Sequence, residues 1–327
     1  MKGHHTMSTK KLGTFIVSFV LIFSFAVPSF AQENNNIFPA NDDSFTNKVS
    51  QFLDTSSTTQ ILIANEKDCI DMLLKEEVIT RTDLNEQLEA LSIKPESELR
   101  QFGYNENQIK IIHGYKKGED AYDHIFESQN NLTTMRSNAT LRFRYGLAGH
   151  SARRSVTIAY DMNWSSVPFW TFTDCFGIGW IVADADSKNL SMKIDNAIAQ
   201  ADYYDNDTNQ SAHIYEDVPI NDFSNSVILG YPDMAKSDND RNIVYPKHIS
   251  GVTSISTQSN SNNIDTVQLF VAYGHTTLAI GIDVDVSLGF DISKFNISFV
   301  PNAKVHQEII AQDNRTFNYD DTISVDA

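Results

Sequence analysis

Residues 280–292 read IGIDVDVSLGFDI. Every second residue is apolar: Ile280, Ile282, Val284, Val286, Leu288, Phe290 and Ile292. Gly281, Asp283, Asp285, Ser287, Gly289 and Asp291 fill the gaps. A period of two belongs to a β-strand with one apolar face, not to a helix. One strand of that length would extend about 43 Å, long for a globular sheet. Gly289 is therefore read as a bend or bulge, after which FDISKFNISFV (290–300) leaves as a new strand.

Working outward, the same chemistry recurs on both sides. Strand-like runs rich in Val, Ile, Thr and aromatics occupy 139–147, 154–162, 172–182, 189–194, 212–218, 226–231, 251–257, 265–274 and 303–310. They are short and separated by turn residues, and no long helix intervenes, apart from a short one expected at 195–201. That order predicts an antiparallel β-sandwich, in which the face of 280–292 packs against the second sheet.

The front of the chain differs. Phe45, Val49 and Phe52 begin a helical face, and Ile70, Leu73, Leu74 and Val78 continue the spacing. Thr82 is read as a cap for a helix bearing Leu84, Leu88 and Leu91. Gly103 is read as a helix stop and Asn105 as the cap of ENQIKIIHG (106–114). The expected class is α+β: a small N-terminal all-α module followed by an antiparallel β-sandwich domain. The divisions are a signal peptide at 1–31, a disordered linker at 32–44, the helical module at 45–127, a second linker at 128–138 and the β-sandwich at 139–327.

The signal peptide rests on Lys10 and Lys11, the apolar run Phe15–Val27, and small residues Ser29 and Ala31 before the expected cut. It implies a secreted, extracellular protein. The full chain of 327 residues carries a net charge of −17; the leader holds three cations and no acids, so the mature charge is −20. Such a surface repels nucleic acid and anionic membranes. Only Cys69 and Cys175 are present. Export permits a disulfide between them, which would clamp the two parts together; otherwise both are buried thiols.

Four constellations bear on chemistry. DNDTNQSAHIYE (205–216) sets Asp205, Asp207, Asn209 and Glu216 at ligand spacings of a Ca²⁺ loop. Gln210 replaces the Gly of the sharp turn and Pro219 spoils the following helix, so the choice lies between an irregular Ca²⁺ site and a solvated acidic loop. Trp164, Trp170 and Trp180 fall within 17 residues, giving either a stacking surface for a glycan or protein partner or a packed core. Residues 280–292 and 251–273 match the arms of a membrane-entering hairpin as well as they match sandwich strands. Finally, Cys175 in TDCFGIGW and His275 in GHTTLAIGI resemble the Cys and His blocks of a family of cell-wall cysteine peptidases. That resemblance implies a Cys–His acyl-transfer pair, but Phe176 stands where the family usually carries Ser, and the residues after Cys175 read as a strand where the family has a helix. The chain holds no G-x-S-x-G, H-E-x-x-H or phosphate-binding Gly loop.

The order of the leader, QFGYNENQIKII (101–112), YDMNWSSVPFWTFTDCFGIGW (160–180) and YGHTTLAIGI (273–282) resembles a group of uncharacterised secreted proteins of Gram-positive bacteria. The resemblance spans most of residues 80–300. It implies export and transfers no functional residue. The expected function is a non-catalytic one, in which the β-sandwich binds an extracellular protein, glycan or surface. The alternatives are a pore-forming or membrane-active secreted protein, the one reading with a membrane partner, and a cell-wall Cys hydrolase.

Overall fold

The computed structural model describes residues 43–127, 139–150, 152–170, 174–223, 227–230, 232, 236–237, 243–259, 263–279, 288–291, 296–299 and 305–322. The signal peptide at 1–31, the linker at 128–138 and most of the linker at 32–44 lie outside them. So do residues 280–287 and Ile292 of the opening stretch.

The chain opens with helix α1 (Asp43–Thr55), strand β1 (Gln60–Asn65) and helices α2 (Glu66–Lys75), α3 (Arg81–Ser92), α4 (Glu96–Gln101) and α5 (Glu106–Gly114), then a π-helical turn at Asp123–Glu127. Local chemistry sets these boundaries. Thr80, not Thr82, caps α3, in a capping box with Asp83. Asn105 and Gln108 form the same device at α5. Gly103 adopts φ +89°, the left-handed turn that glycine tolerates, between α4 and α5.

Strands β2 (Thr140–Gly149), β3 (Ser155–Trp164), β4 (Cys175–Ala183), β5 (Met192–Asp205), β6 (Ser211–Asp217), β7 (Ile220–Phe223), β8 (Val227–Gly230), β9 (Lys236–Ser237), β10 (Ile243–Thr257), β11 (Thr266–Ala279), β12 (Leu288–Asp291), β13 (Asn296–Phe299) and β14 (Val305–Asn318) follow, and helix α6 (Tyr319–Thr322) ends the described chain. Apart from β12 and β13, they form two antiparallel sheets. One runs β1-β2-β3-β10-β5-β6, with β9 also on β10; the other runs β14-β11-β4-β8-β7. The inner faces meet through alternating residues: Phe143, Tyr145, Ile158 and Trp164 from the first sheet, Phe176, Trp180, Leu269 and Tyr273 from the second. Two glycines seat rings in this core. A Cβ on Gly251 would fall 2.2 Å from the Tyr160 ring, and one on Gly230 would fall 2.2 Å from that of Phe176.

Three expectations need correction. The front segment is not all-α: the β-branched-rich QILIAN forms β1 and pairs along its whole length with β2. Residues 195–201 lie within β5, where pairing to β10 overrides a weak helical signal. The arms of 251–273 belong to different sheets, β10 to the first and β11 to the second, so they are not a hairpin. The expected packing of the 280–292 face on the second sheet lies outside the described side chains; of that stretch only β12 is described, and it is paired outside the two sandwich sheets. It pairs with β13 in a separate two-stranded sheet.

The helices and sheets belong to one compact unit, Phe38–Ala327. Helix α1 lays Phe45, Val49 and Leu53 on Ala159 and Val252 of the outer face of the first sheet. Helices α2–α5 close around their own core of Ile70, Leu73, Leu84, Leu88, Ile109 and Ile112, and this core takes in Phe169 and Trp170 from the β3–β4 connection.

Candidate functional site

The densest buried chemistry lies where α2 meets the second sheet. Asn65 ends β1 and caps α2, accepting from the backbone N–H groups of Lys67 and Asp68. This junction makes Glu66 the first helical residue, and its own N–H donates to Ala139 O at 3.0 Å. The Glu66 carboxylate accepts backbone N–H groups from Phe169 at 2.9 Å and Trp170 at 3.0 Å. Its Oε1 also stands 3.6 Å from His275 Nε2. On the other side of the ring, His275 Nδ1 lies 2.9 Å from Asp174 Oδ1 and 3.0 Å from Oδ2. Tyr273 donates its hydroxyl to Asp174 at 2.8 Å and accepts from Trp164 Nε1 at 3.3 Å.

Glu66, Asp174 and His275 are each 0% exposed. Burial alone would lower the His275 pKa. The Asp174 carboxylate, with Glu66 behind it, overcomes that and pushes it up to about 10. The imidazolium form holds at neutral pH: Nδ1 donates to Asp174, while Nε2 stands 3.6 Å from Glu66 Oε1, within ion-pairing reach but without a hydrogen bond. An imidazolium and two carboxyl groups have been taken out of water here, at a cost that only good pairing offsets.

The Cys–His pair expected for a hydrolase does not assemble. Cys175 is the register partner of Gly274, so it shares that residue's face of the sheet, and the next residue, His275, takes the opposite face. Burial and the neighbouring Asp174 push the Cys175 thiol well above its ordinary value, the reverse of an activated nucleophile. Cys69 and Cys175 are both buried and not joined in a disulfide, so the disulfide expectation gives way to two buried thiols.

A second charged cluster lies under α1. Asp161, nine-tenths or more buried, receives Arg144 Nη2 at 2.8 Å, Ser50 Oγ at 2.8 Å and His248 Nε2 at 2.6 Å. Burial would raise its pKa; His248 and Arg144 outweigh this and hold the carboxyl far below the usual carboxylate range. Ser250 Oγ is 3.4 Å from the same His248 Nε2 that meets Asp161. A catalytic relay needs the hydroxyl and the carboxylate on opposite ring nitrogens, so this group fastens α1 to the sheet.

The predicted Ca²⁺ residues are spread over other tasks. Asp205 Oδ1 accepts from the N–H groups of Asp207 and Thr208 at 3.1 and 2.7 Å and closes the β5–β6 turn. Asp207 Oδ1 accepts the Glu106 N–H at 2.8 Å, at the start of α5. Asn209 Oδ1 accepts from Tyr245 Oη at 2.6 Å, while Glu216 sits in β6 opposite Ala201. Among the described residues no group of three or more His, Cys, Asp or Glu side chains gathers as a metal site. The tryptophans form no exposed stacking surface: Trp164 and Trp170 are 0% exposed and Trp180 4%. They fall in inward-facing positions or, for Trp170, inside the helical core.

The remaining feature is the long hairpin. β11 and β14 pair from Thr266↔Asn318 to Ala279↔Val305. Between their ends, β12 and β13 pair as Leu288↔Phe299, Gly289↔Ser298, Phe290↔Ile297 and Asp291↔Asn296. The second pairing is nested inside the first. In that register Leu288 and Phe290 stand opposite Phe299 and Ile297, and Gly289 and Asp291 opposite Ser298 and Asn296.

No family model matches the chain, and no curated protein matches it. Among solved structures, one described as "Pore forming protein" is similar at 8% identity and a TM-score of 0.23, over 57% of this chain and 82% of that one. Another, titled "AvmM Catalyzes Macrocyclization in Alchivemycin A Biosynthesis", is similar at 7% identity and a TM-score of 0.21, over 53% of this chain and 86% of that one. Likeness at this level carries no argument about function.

Proposed function

We propose that the protein is secreted, acts without catalysis, and engages a lipid surface through the Thr266–Asn318 hairpin. One observation carries this reading: β12 and β13 stand outside both sandwich sheets and are in register as an amphipathic pair. Alternation within a sandwich strand is explained by the opposite sheet. Among the described residues, β12 and β13 belong to neither sheet, and a bilayer is the other medium that rewards one apolar and one polar face on a β-hairpin. A spanning strand takes about 9–11 residues, and the alternation from Ile280 to Ile292 is long enough.

The test is dye release from liposomes by residues 32–327. Release is expected from the unmodified protein. Phe290→Lys and Phe299→Lys place a cation in the apolar row, at about 2–4 kcal/mol each near a bilayer midplane, and should reduce release more than about tenfold. Release that is absent, or unchanged in both variants, defeats the membrane reading.

A second reading, binding of an extracellular protein or glycan, is favoured by a different observation. β1 is the end strand of the first sheet and presents Ile61 at 50% and Ile63 at 72% exposure. Edge strands with apolar side chains are templates for an added strand. Ile61→Lys with Ile63→Lys separates the two: it would abolish partner capture and leave dye release intact.

A further inference from the structure

We propose that Glu66, His275 and Asp174 form a charge latch by which the helical segment holds the root of the Thr266–Asn318 hairpin in the sandwich. The inference takes the hairpin from the preceding reading, but the latch itself stands on the packing of the core. From Thr266 to Gly274, β11 is paired on both sides, with β4 and with β14. Among the described residues, Gly274↔Cys175 is the last pair with β4, and those from His275 to Ala279 pair with β14. The β11–β14 register also slips between Tyr273 and Gly274. Among the described residues, His275 therefore directly follows the part of the hairpin anchored to β4.

Three separate elements converge on that boundary. Glu66 comes from the first turn of α2, Asp174 from the entry to β4, and His275 from β11. The surroundings are aromatic: the Trp164 ring lies 5.4 Å from that of His275, and Tyr273 bonds Asp174. The trio is wholly buried, so solvent does not stand in for a missing partner. Withdrawing α2, by a partner pulling on the helical segment or by its cleavage, removes Glu66 from His275. It also strips the Phe169 and Trp170 N–H groups of their acceptor. Both losses fall on the hairpin root and the β3–β4 connection, and neither falls on the first sheet.

Amide hydrogen exchange on residues 32–327 tests the latch. Glu66→Gln should speed exchange at least about tenfold in 266–279 and at Phe169 and Trp170 and leave 155–164 and 243–257 near the unmodified rates. Asp161→Asn, an equally buried charge lost elsewhere, should show the opposite pattern. Equal acceleration in both sheets, or none, overturns the proposal. If Glu66→Gln does not fold, the unmodified protein in low denaturant still decides: 66–70 and 266–279 must open as one unit with one free energy. Opening of 66–70 with no change in 266–279 overturns the latch. Selective exchange without dye release from any form supports the latch and sinks the membrane reading, so the two fail separately.

Discussion

At the scale of residues, His275 shows how context decides what a side chain does. Its sequence setting, Gly before it and Thr after it, invites a catalytic reading beside Cys175. Strand parity removes that pair, and the carboxylates that replace it come from positions 66 and 174, far apart in sequence. Neither had a local signal: Glu66 reads as an ordinary acid at the start of a helical run and Asp174 as one position of the strand-like run 172–182. Such a cluster could be found from sequence only by knowing that 60–65 is a strand, because that pairing delivers Glu66. The cluster has a testable pH signature. The folded His275 pKa is raised, from 6.5 to about 10. Its stabilisation is therefore complete below about pH 6.5, declines as pH rises, and is lost above about 10. The melting temperature of the unmodified protein should fall across that window. His275→Gln should be less stable at pH 6 and should show a flatter slope from 6.5 to 10. Parallel slopes in the two proteins would show that His275 does not carry the linkage.

At the scale of elements, hydrophobic period and turn chemistry made most strands and caps legible. The alternation in 139–147 and 154–162 became β2 and β3, and Asn105 caps α5 as its spacing suggests. The failures share one cause, tertiary pairing. QILIAN is too short to announce itself against helical neighbours, and 195–201 is helical only until β10 lies beside it. Pairing also explains why α1, whose own helical signal is only an apolar face, has a fixed seat. Arg144 reaches Asp161 in the sheet while also meeting Asp54 at 2.5 Å and Ser50 at 3.0 Å in α1. The Asp161 carboxyl is depressed in the folded state, so its contribution is present above about pH 3.8 and lost as pH falls below. Asp161→Asn leaves Arg144 and His248 without their buried counter-ion and should cost about 3–5 kcal/mol at pH 7. Urea midpoints at pH 7 and pH 3 measure it. The penalty should shrink at the lower pH, and an equal penalty at both would contradict the ion-pair account.

At the scale of the molecule, the division into a helical module and a sandwich is visible in the composition of the chain, but the packing does not respect it. β1 is a member of the first sheet, Phe169 and Trp170 belong to the helical core, and Gln108 donates to Pro168 O at 2.8 Å across the divide. The β5–β6 turn is fastened to the α4–α5 turn as well, through Asn105 Nδ2 to Asn206 O at 3.1 Å and Asn206 Nδ2 to Gly103 O at 2.5 Å. A sandwich made alone would expose two large aromatics, lose an edge strand and leave His275 facing one carboxylate where it now has two. Residues 139–327 expressed by themselves should therefore lack a cooperative thermal transition and bind a hydrophobic dye, whereas 32–327 should melt in one step with sheet and helix signals coincident. A sharp, two-state melt of 139–327 would mean that the aromatic plug and the charge latch are dispensable to the fold. In that case, loss of the helical segment would leave a finished sandwich, and a latch at His275 would have no hairpin root to restrain.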